Sequence, residues 1–122
     1  MPYVIRPDEA EAWPLDKHDG VTARMLIDGK QMTVLWPRWE PGAHFAAHTH
    51  PHEQSGLCVA GAIVFIIDGA DYPVRAGEFY TIPPNVPHGE RNDSDEPAVV
   101  VDFFAPPRED LLRRRFEQTI LP

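Results

Sequence analysis

The sequence predicts an all-β protein, a double-sheeted jelly-roll barrel of roughly nine short strands followed by one short helix. The 14 prolines and eight glycines are too many for a helical protein, and they separate short apolar segments as turns separate strands. A chain of 122 residues is long enough for one hydrophobic core. We therefore expect a single domain over residues 1–122.

The N-terminal part of the chain combines prolines with mixed charges. It predicts an extended arm over about residues 1–20, with one short strand near Tyr3–Arg6. Val21–Asp28 and Gln31–Trp39 are predicted to pair as a hairpin, because an Asp-Gly turn signal lies between them. Proline donates no hydrogen bond to a neighbouring strand, so Pro37 predicts that the second of these strands lies at an edge or contains a bulge.

Further along the chain, turn signals alternate with apolar segments. Strands are predicted at Leu57–Ala60, Ala62–Asp68, Tyr72–Arg75, Phe79–Ile82 and Ala98–Phe104. A Pro-Pro pair ends the last strand, and a helix over Arg108–Gln118 follows, because Leu111, Leu112 and Phe116 form an apolar side at helical spacing. The basic run at 113–115 is expected to be a solvated face of that helix.

Composition limits the possible partners and locations. The net charge of −8 argues against nucleic acid and anionic membrane as partners. No segment approaches the roughly 18 consecutive apolar residues of a membrane span, and no charged-then-apolar leader opens the chain. The lone cysteine, Cys58, is expected to be a small core residue, and a chain without an internal disulfide fits a reducing compartment. We therefore expect a cytoplasmic protein.

Three histidines and a glutamine are candidates for a metal site. Side chains two residues apart on a strand point to the same face, so His48 and His50 can hold one metal ion between them. A proline-rich loop brings in His88, and Gln54 follows shortly after the first pair. Imidazole nitrogens suit first-row divalent metals. We interpret these four side chains as ligands of one divalent transition metal ion, with nickel, zinc, iron, manganese and cobalt all compatible.

The other three histidines have weaker indications. His44 lies four residues before His48 and is expected at the pocket mouth as a substrate-binding residue, with a structural or surface role as the alternative. His52 has the right spacing for a ligand, but Pro51 interrupts the strand, which favours a place beside the ligands or at the surface. His18 is expected to be a structural or surface residue. Glu90 and Arg91 flank His88 and are weaker candidates for the site.

Two motifs resemble those of the cupin family. The first runs from Gly42 through five residues, His48-Thr49-His50, three residues, Gln54 and six residues to Gly61. The second runs from Gly77 through five residues, Pro83-Pro84-Asn85, two residues, His88 and three residues to Asn92. The resemblance implies the cupin double-stranded β-helix for most of the chain. Two residues depart from the family pattern: Gln54 replaces the usual Glu, and Asn85 replaces the usual Gly, where Asn tolerates the positive φ of the turn.

A narrower resemblance extends to the last strand. The segments HTHPHEQ at 48–54 and DFFAPPRED at 102–110 are similar to those of the pectin- and alginate-degradation cupins. Members of that group convert 4,5-unsaturated monouronates into open-chain keto-uronates. The resemblance implies an isomerase-type enzyme with a metal held by His48, His50, Gln54 and His88, and with active-site roles for Asp102, Phe104 and Arg108.

The residue types beside the metal motif fit acid–base chemistry on an anion. Asp102 lies in an apolar segment, where a buried carboxylate is costly unless it is paired or used, so catalysis is weighed against a structural salt bridge. Phe104 is either an aromatic wall for the substrate or a core residue. Arg108 either grips a substrate carboxylate in a two-pronged way or lies in water at the helix start. Because Gln54 is neutral, the ion keeps its full double charge and favours a small anionic, sugar-like substrate.

Two other functions stay open from the sequence. A three-histidine site loaded with iron permits activation of O₂, so a metal-dependent cupin dioxygenase is one alternative. A non-catalytic sugar-acid-binding or sensor module is the other. Since cupins commonly pair through sheet edges and exchanged N-terminal arms, the resemblance also implies a homodimer.

Overall fold

The computed structural model describes residues 3–16 and 20–113. Within them, a 3-10 turn spans Pro7–Glu9, and the described part of one helix, α1, covers 109–113. The strands are β1 (Ala12–Asp16), β2 (Val21–Asp28), β3 (Thr33–Trp39), β4 (His44–His48), β5 (Glu53–Ala60), β6 (Ala62–Ile67), β7 (Ala70–Arg75), β8 (Phe79–Ile82), β9 (His88–Arg91) and β10 (Ala98–Ala105). His18, Arg114, Arg115 and the rest of the predicted helix lie outside the described residues.

The strands form two antiparallel sheets. One sheet has six strands in the order β1-β2-β3-β10-β5-β8, and the other has four in the order β4-β9-β6-β7. All the strand pairings are antiparallel. The predicted all-β, double-stranded β-helix fold is therefore confirmed, with ten strands in the described part of the chain where the sequence predicted roughly nine.

The core lies between the two sheets because alternate residues of each strand point inward. In β10, for example, Val100 and Phe104 are buried while Phe103 between them is 40% exposed. Cys58 is buried in the same apolar cluster, which confirms that it is a core residue. Side chains from both sheets are at most 2% exposed there, including Trp13, Leu35, Phe65, Ile82 and Val100.

The first strand lies later in the chain than the sequence predicted. The expected strand near Tyr3–Arg6 is absent from the described residues, and Tyr3 is fully exposed. Instead, β1 pairs with β2 and buries Trp13 and Leu15. The prediction was wrong because it followed the residue types of the first segment, whereas burial of the large indole decides which segment joins the sheet.

Pro37 lies in the interior of the six-stranded sheet, which corrects the expectation of an edge strand. Its strand, β3, has β2 on one side and β10 on the other. The ladder with β10 pairs Arg38 with Val99 and Leu35 with Asp102, but it omits the positions between them. An interior strand thus accommodates the missing N–H by leaving that part of one ladder unbridged.

Two asparagines of the second motif shape the turns that frame the site. Asn85 has φ of 66°, which confirms that it takes the left-handed conformation expected for the usual glycine position. Asn92 is buried, and its Nδ2 donates to the carbonyl oxygens of Trp39, at 3.1 Å, and Glu96, at 2.8 Å. Its Oδ1 accepts hydrogen bonds from Ser94. Asn92 therefore connects the turn between β9 and β10 to β3.

Candidate metal centre

Three histidines converge between the sheets, although they do not share one strand. His48 ends β4 and pairs directly with His88, which begins β9. His50 lies beyond the end of β4, so the expectation that His48 and His50 occupy one strand was wrong. The pairing of β4 ends at His48, and the His50 carbonyl accepts a hydrogen bond from the Asn85 N–H at 2.9 Å.

The geometry of the three imidazoles suits a metal ion. One ligating nitrogen from each of His48, His50 and His88 lies within 4.8 Å of the other two. A metal ion bonded to imidazole nitrogens at about 2.1 Å draws such a set together with small side-chain adjustments. Ring centroids are separated by 4.4 to 5.7 Å. These three residues can therefore hold one metal ion.

Hydrogen bonds to the backbone orient all three rings. The Nδ1 atoms of His48, His50 and His88 lie 2.9, 3.0 and 2.9 Å from the carbonyl oxygens of Ala46, His52 and Val86. A carbonyl only accepts, so each Nδ1 carries the proton and each Nε2 keeps its lone pair. The Nε2 of His88 is buried and has no hydrogen-bond partner among the described residues. Such a buried lone pair, in a ring whose other nitrogen is held by a backbone carbonyl, is typical of a metal ligand.

Gln54 directs its amide oxygen at the same cluster. The Oε1 atom lies 3.1 Å from His50 Nε2, and the amide nitrogen donates to the Tyr80 hydroxyl at 3.0 Å. Tyr80 in turn donates a short hydrogen bond to Asp102. All three side chains are buried. Gln54 thus lies where the predicted fourth ligand belongs, and its neutral oxygen is the atom presented.

A cavity of about 230 Å³ adjoins this cluster and is lined by residues of both sheets. Asp102, Phe104 and Arg108, which the sequence predicted for the active site, all line it together with His48, His50 and Gln54. Its apolar wall consists of side chains from both sheets and the helix, namely Leu15, Leu35, Pro37, Trp39, Phe45 and Leu111. The cavity therefore has polar and charged groups beside the imidazoles and an apolar wall.

Two buried carboxyl groups line the cavity. Burial raises the pKa of Asp102 to about 6, and the hydrogen bond from Tyr80 opposes the shift. Burial and the charge of Asp102 raise the pKa of Glu90 to about 8. Asp102 forms no ion pair with any of the described residues, so the structural salt bridge considered from the sequence is not present among them.

Tyr80 was missed from the sequence and Glu90 was given too little weight, although Glu90 lines the cavity and Tyr80 contacts Gln54 and Asp102. Glu90 is two residues after His88, and in a strand such residues share a face. No strand was predicted at these residues from the sequence, whereas His88–Arg91 pairs with both β4 and β6. The role of Tyr80 had no local signal, since its partners Gln54 and Asp102 are distant in the sequence.

Arg108 reaches the cavity but is already paired. Its guanidinium group donates to both carboxylate oxygens of Asp110, at 2.8 and 2.6 Å. It also lies 4.7 Å from the centroid of the Phe104 ring, an arrangement that favours a cation. Arg108 is only 9% exposed, so it is not the solvated helix residue of the alternative interpretation. Phe104 belongs to the apolar core cluster and also lines the cavity, so its place in the core is confirmed while its contact with a substrate stays a prediction.

The remaining candidates are not part of the three-histidine cluster, although His52 adjoins it. His44 is exposed at the start of β4 and is not among the described residues that line the cavity. His52 is half-buried with its ring 5.5 Å from that of His50, and its carbonyl orients His50. Arg91, weakly considered from the sequence, faces outward and pairs with Asp71 and Asp93.

These features define a double-sheeted β-barrel protein with a cluster of three histidines that can hold a metal ion. Among the described residues, no helix is long and apolar enough to cross a membrane. The model of the cupin domain (Cupin_2) matches residues 36–104, which is more than half of the chain. The chain belongs to the cupin family.

Within this family the chain is similar to several named proteins, including two relatives in sequence and one solved structure. The pectin degradation protein KdgF of Dickeya dadantii (strain 3937) is 26% identical over 106 residues, covering 86% of this chain and 94% of KdgF. The H2HPP isomerase of Bacillus subtilis is 35% identical over 71 residues, 57% of this chain and 30% of the isomerase. Relatives that are 34% or 35% identical are longer proteins, of which the chain spans 30% to 59%.

The third is a solved structure, that of KdgF from Halomonas sp. It superposes with a TM-score of 0.81 at 21% identity, covering 91% of this chain and 99% of that one. At this identity the likeness shows a shared fold.

Proposed function

We propose that the protein is a metal-dependent isomerase that converts 4,5-unsaturated monouronates into open-chain keto-uronates during pectin or alginate breakdown. The observation that carries the proposal is the buried Asp102, which lines the same cavity as His48, His50 and Gln54. A carboxyl group beside a metal site with neutral ligands suits proton transfer on an anionic substrate. The similarity to KdgF, a pectin degradation protein matched over 94% of its length, supports this substrate class.

The cavity suits one sugar ring. Its volume of about 230 Å³ is below the roughly 300–1,000 Å³ of pockets for drug-sized ligands. The apolar wall can pack against the face of a ring, and Phe104 provides an aromatic surface beside the metal cluster. Polar groups for the hydroxyl and carboxylate oxygens of the substrate are supplied by Glu90, Asp102 and Arg108. A monosaccharide is thus favoured over an oligosaccharide.

The metal would be held by His48, His50, His88 and Gln54, with nickel, zinc, iron, manganese and cobalt as candidates. When bound, the ion supplies a positive charge for the substrate carboxylate and polarises an adjacent oxygen as a Lewis acid. Gln54 adds no negative charge to the ligand set, which favours an anion in the remaining positions. The buried Asp102 partly offsets that positive charge when it is ionised, whereas Glu90, whose pKa burial raises to about 8, is mostly protonated near neutral pH.

Asp102 is assigned the proton transfers. In ring opening, the hemiacetal hydroxyl loses its proton, the bond between C1 and the ring oxygen breaks, and that oxygen becomes the enol hydroxyl. In tautomerisation, the enol O–H bond breaks and a C–H bond forms at the adjacent carbon, so no atom or electron is gained or lost overall. With a pKa raised by burial to about 6, Asp102 can both accept and donate a proton near neutral pH. Arg108 orients the substrate carboxylate.

The assay is direct. Protein loaded in turn with each of the five metals is mixed with an unsaturated monouronate, and the loss of ultraviolet absorbance from the conjugated double bond is followed. Ring opening also occurs spontaneously, so the rate must exceed that of the same metal in buffer. A rate no higher than this control with all five metals would contradict the proposal. The homodimer, the cytoplasmic location and the single-domain organisation stay predictions.

A further inference from the structure

We propose that Tyr80 is the positioning residue that makes Gln54 a metal ligand, by fixing which end of the amide faces the histidines. The inference rests on the proposed metal site and extends it to a residue outside the ligand set. It depends on the chain of hydrogen bonds from Gln54 through Tyr80 to Asp102. All members of this chain are buried, so water does not replace them readily.

The direction of the two hydrogen bonds, from Gln54 to Tyr80 and from Tyr80 to Asp102, follows from the single hydrogen of the Tyr80 hydroxyl. The Tyr80 hydroxyl has a single hydrogen, and it donates that hydrogen to Asp102. Toward Gln54 the hydroxyl can therefore only accept, so Gln54 must present its NH₂ group, at 3.0 Å. The amide oxygen then faces His50 Nε2 at 3.1 Å, and because both atoms present lone pairs, a metal ion between them would bond to both. A reversed amide would place two acceptor oxygens against each other at Tyr80.

The same reversal would block the metal site. His50 donates from Nδ1 to the His52 carbonyl, so its Nε2 offers a lone pair. A reversed Gln54 would point its NH₂ at that lone pair and occupy it with a hydrogen bond. Tyr80 thus determines two ligands together: it presents the oxygen of Gln54 and keeps the nitrogen of His50 available.

The phenol ring is fixed independently of this chain. It stacks on Phe65 with ring centroids 4.1 Å apart and an angle of 27° between the planes. Asp102, Gly56 and Tyr80 lie in one row across three neighbouring strands, since Gly56 pairs with both of the others. A Cβ atom at Gly56 would lie 2.9 Å from the Tyr80 ring, so the missing side chain leaves the space that the ring occupies. Removing the hydroxyl alone therefore leaves the packing in place.

The first test is Tyr80→Phe, read out by metal binding rather than by turnover. Loss of the acceptor frees the Gln54 amide to rotate, so the affinity for Co²⁺ should fall by about 10-fold or more, as for other residues that orient ligands. The d–d absorption spectrum of the Co²⁺ protein should also change, because one oxygen ligand is lost. The control is Thr81→Val, an exposed neighbour on the same strand, which should leave affinity and spectrum unchanged. Circular dichroism of the metal-free proteins checks that both fold.

The second test is a double-mutant cycle with Gln54→Glu. A carboxylate presents an oxygen in either orientation, so in that background Tyr80→Phe should no longer weaken Co²⁺ binding. An equal loss in both backgrounds, or an unchanged spectrum and affinity for Tyr80→Phe itself, would overturn the inference and leave Tyr80 a packing residue. Uronate turnover is a separate measurement. If Co²⁺ binding depends on Tyr80 but the uronate is not turned over, only the proposed reaction is contradicted. If the uronate is turned over but Tyr80→Phe leaves Co²⁺ binding unchanged, only this inference is contradicted.

Discussion

The guanidinium group of Arg108 forms a two-pronged ion pair with Asp110 where both residues line the cavity. Asp110 is itself 57% exposed in its side chain, whereas Arg108 is 10% exposed. The guanidinium group holds the pKa of Asp110 at about 2, so this carboxylate is ionised at neutral pH. Asp110 therefore occupies the position on Arg108 that a substrate carboxylate would need.

Replacing Asp110 with Asn should strengthen binding of an anionic substrate. The variant removes an internal competitor for Arg108. Because the Asp110 side of the pair is open to solvent, the pair should contribute only about 0.5–1 kcal/mol, which corresponds to a fall in KM of about two- to fivefold. Steady-state kinetics with the unsaturated monouronate provides the measurement. Glu109→Gln, an exposed neighbour with the same loss of charge, is the control and should leave KM unchanged. A KM that rises in Asp110→Asn would show that Asp110 supports binding.

Two substitutions at Asp102 should separate its two roles. Asp102→Asn keeps an oxygen that accepts the Tyr80 hydrogen bond, so metal affinity should be retained while turnover falls by about 100-fold or more, the usual contribution of a general acid–base group. Asp102→Ala also removes that acceptor and should weaken metal binding. Metal content measured on dialysed protein, together with turnover, distinguishes the two. Near-normal turnover in Asp102→Asn would remove Asp102 from the mechanism.

Metal binding should stabilise the fold through the three histidines. At a metal concentration 100 times the Kd, the free energy of unfolding rises by about 2.7 kcal/mol, which appears as a higher Tm in a thermal melt. His88→Ala should abolish that increase because its Nε2 is one of the three convergent nitrogens. His44→Ala is the matched control, since His44 is exposed and lies outside the cluster. Equal metal-dependent shifts in both variants would exclude the assigned ligand set.

Acid should weaken metal binding only below the ordinary pKa of histidine. Burial, with the positive charge of Arg108 second, lowers the pKa of His50 below 6.5, and burial also lowers that of His88. A lowered pKa keeps each ring neutral, and its Nε2 free for the metal, to a lower pH than in an exposed histidine. We expect a nearly constant Kd from pH 8 to 7 and a steep increase below 6.5, as protons compete for the nitrogens. Titration of the metal-free protein at several pH values tests this, and a Kd that already rises tenfold between pH 8 and 7 would refute it.

Gly56→Ala should be far more destabilising than Gly42→Ala. A Cβ atom at Gly56 would lie 1.9 Å from the Val101 carbonyl oxygen, so β5 or β10 must shift, which should reduce the free energy of unfolding by about 3 kcal/mol or more. Gly42 has φ of +80° but nothing within 4 Å of an added Cβ. Only the backbone conformation opposes its substitution, by about 1–2 kcal/mol. Urea denaturation of the metal-free variants compares them, and equal losses would argue against the close approach of the strands.

Local spacing was sufficient for much of the fold and for the identity of the candidate ligands. Short apolar segments between prolines and glycines predicted the central strands, and Phe79–Ile82 has the predicted bounds. The intervals within the two motifs were sufficient to select His48, His50 and His88 from the sequence alone. Errors arose where burial of a single large side chain or the pairing of neighbouring strands decides the outcome, as at Trp13 and in the unpredicted strand β9.

The sequence by itself was sufficient to identify the residues of the candidate metal site. The side-chain alternation of strands and the turn preferences of proline, glycine and asparagine act over a few residues, so they can be recognised locally. Only the tertiary structure decided how those residues are oriented. Tyr80 lies 26 residues from Gln54 and 22 from Asp102, and they meet because β5 pairs with both β8 and β10. This strand pairing sets the orientation of the Gln54 amide. It places the Tyr80 hydroxyl, with its single hydrogen, between Asp102 and Gln54, so the amide must turn its NH₂ group to Tyr80 and its oxygen to the histidines.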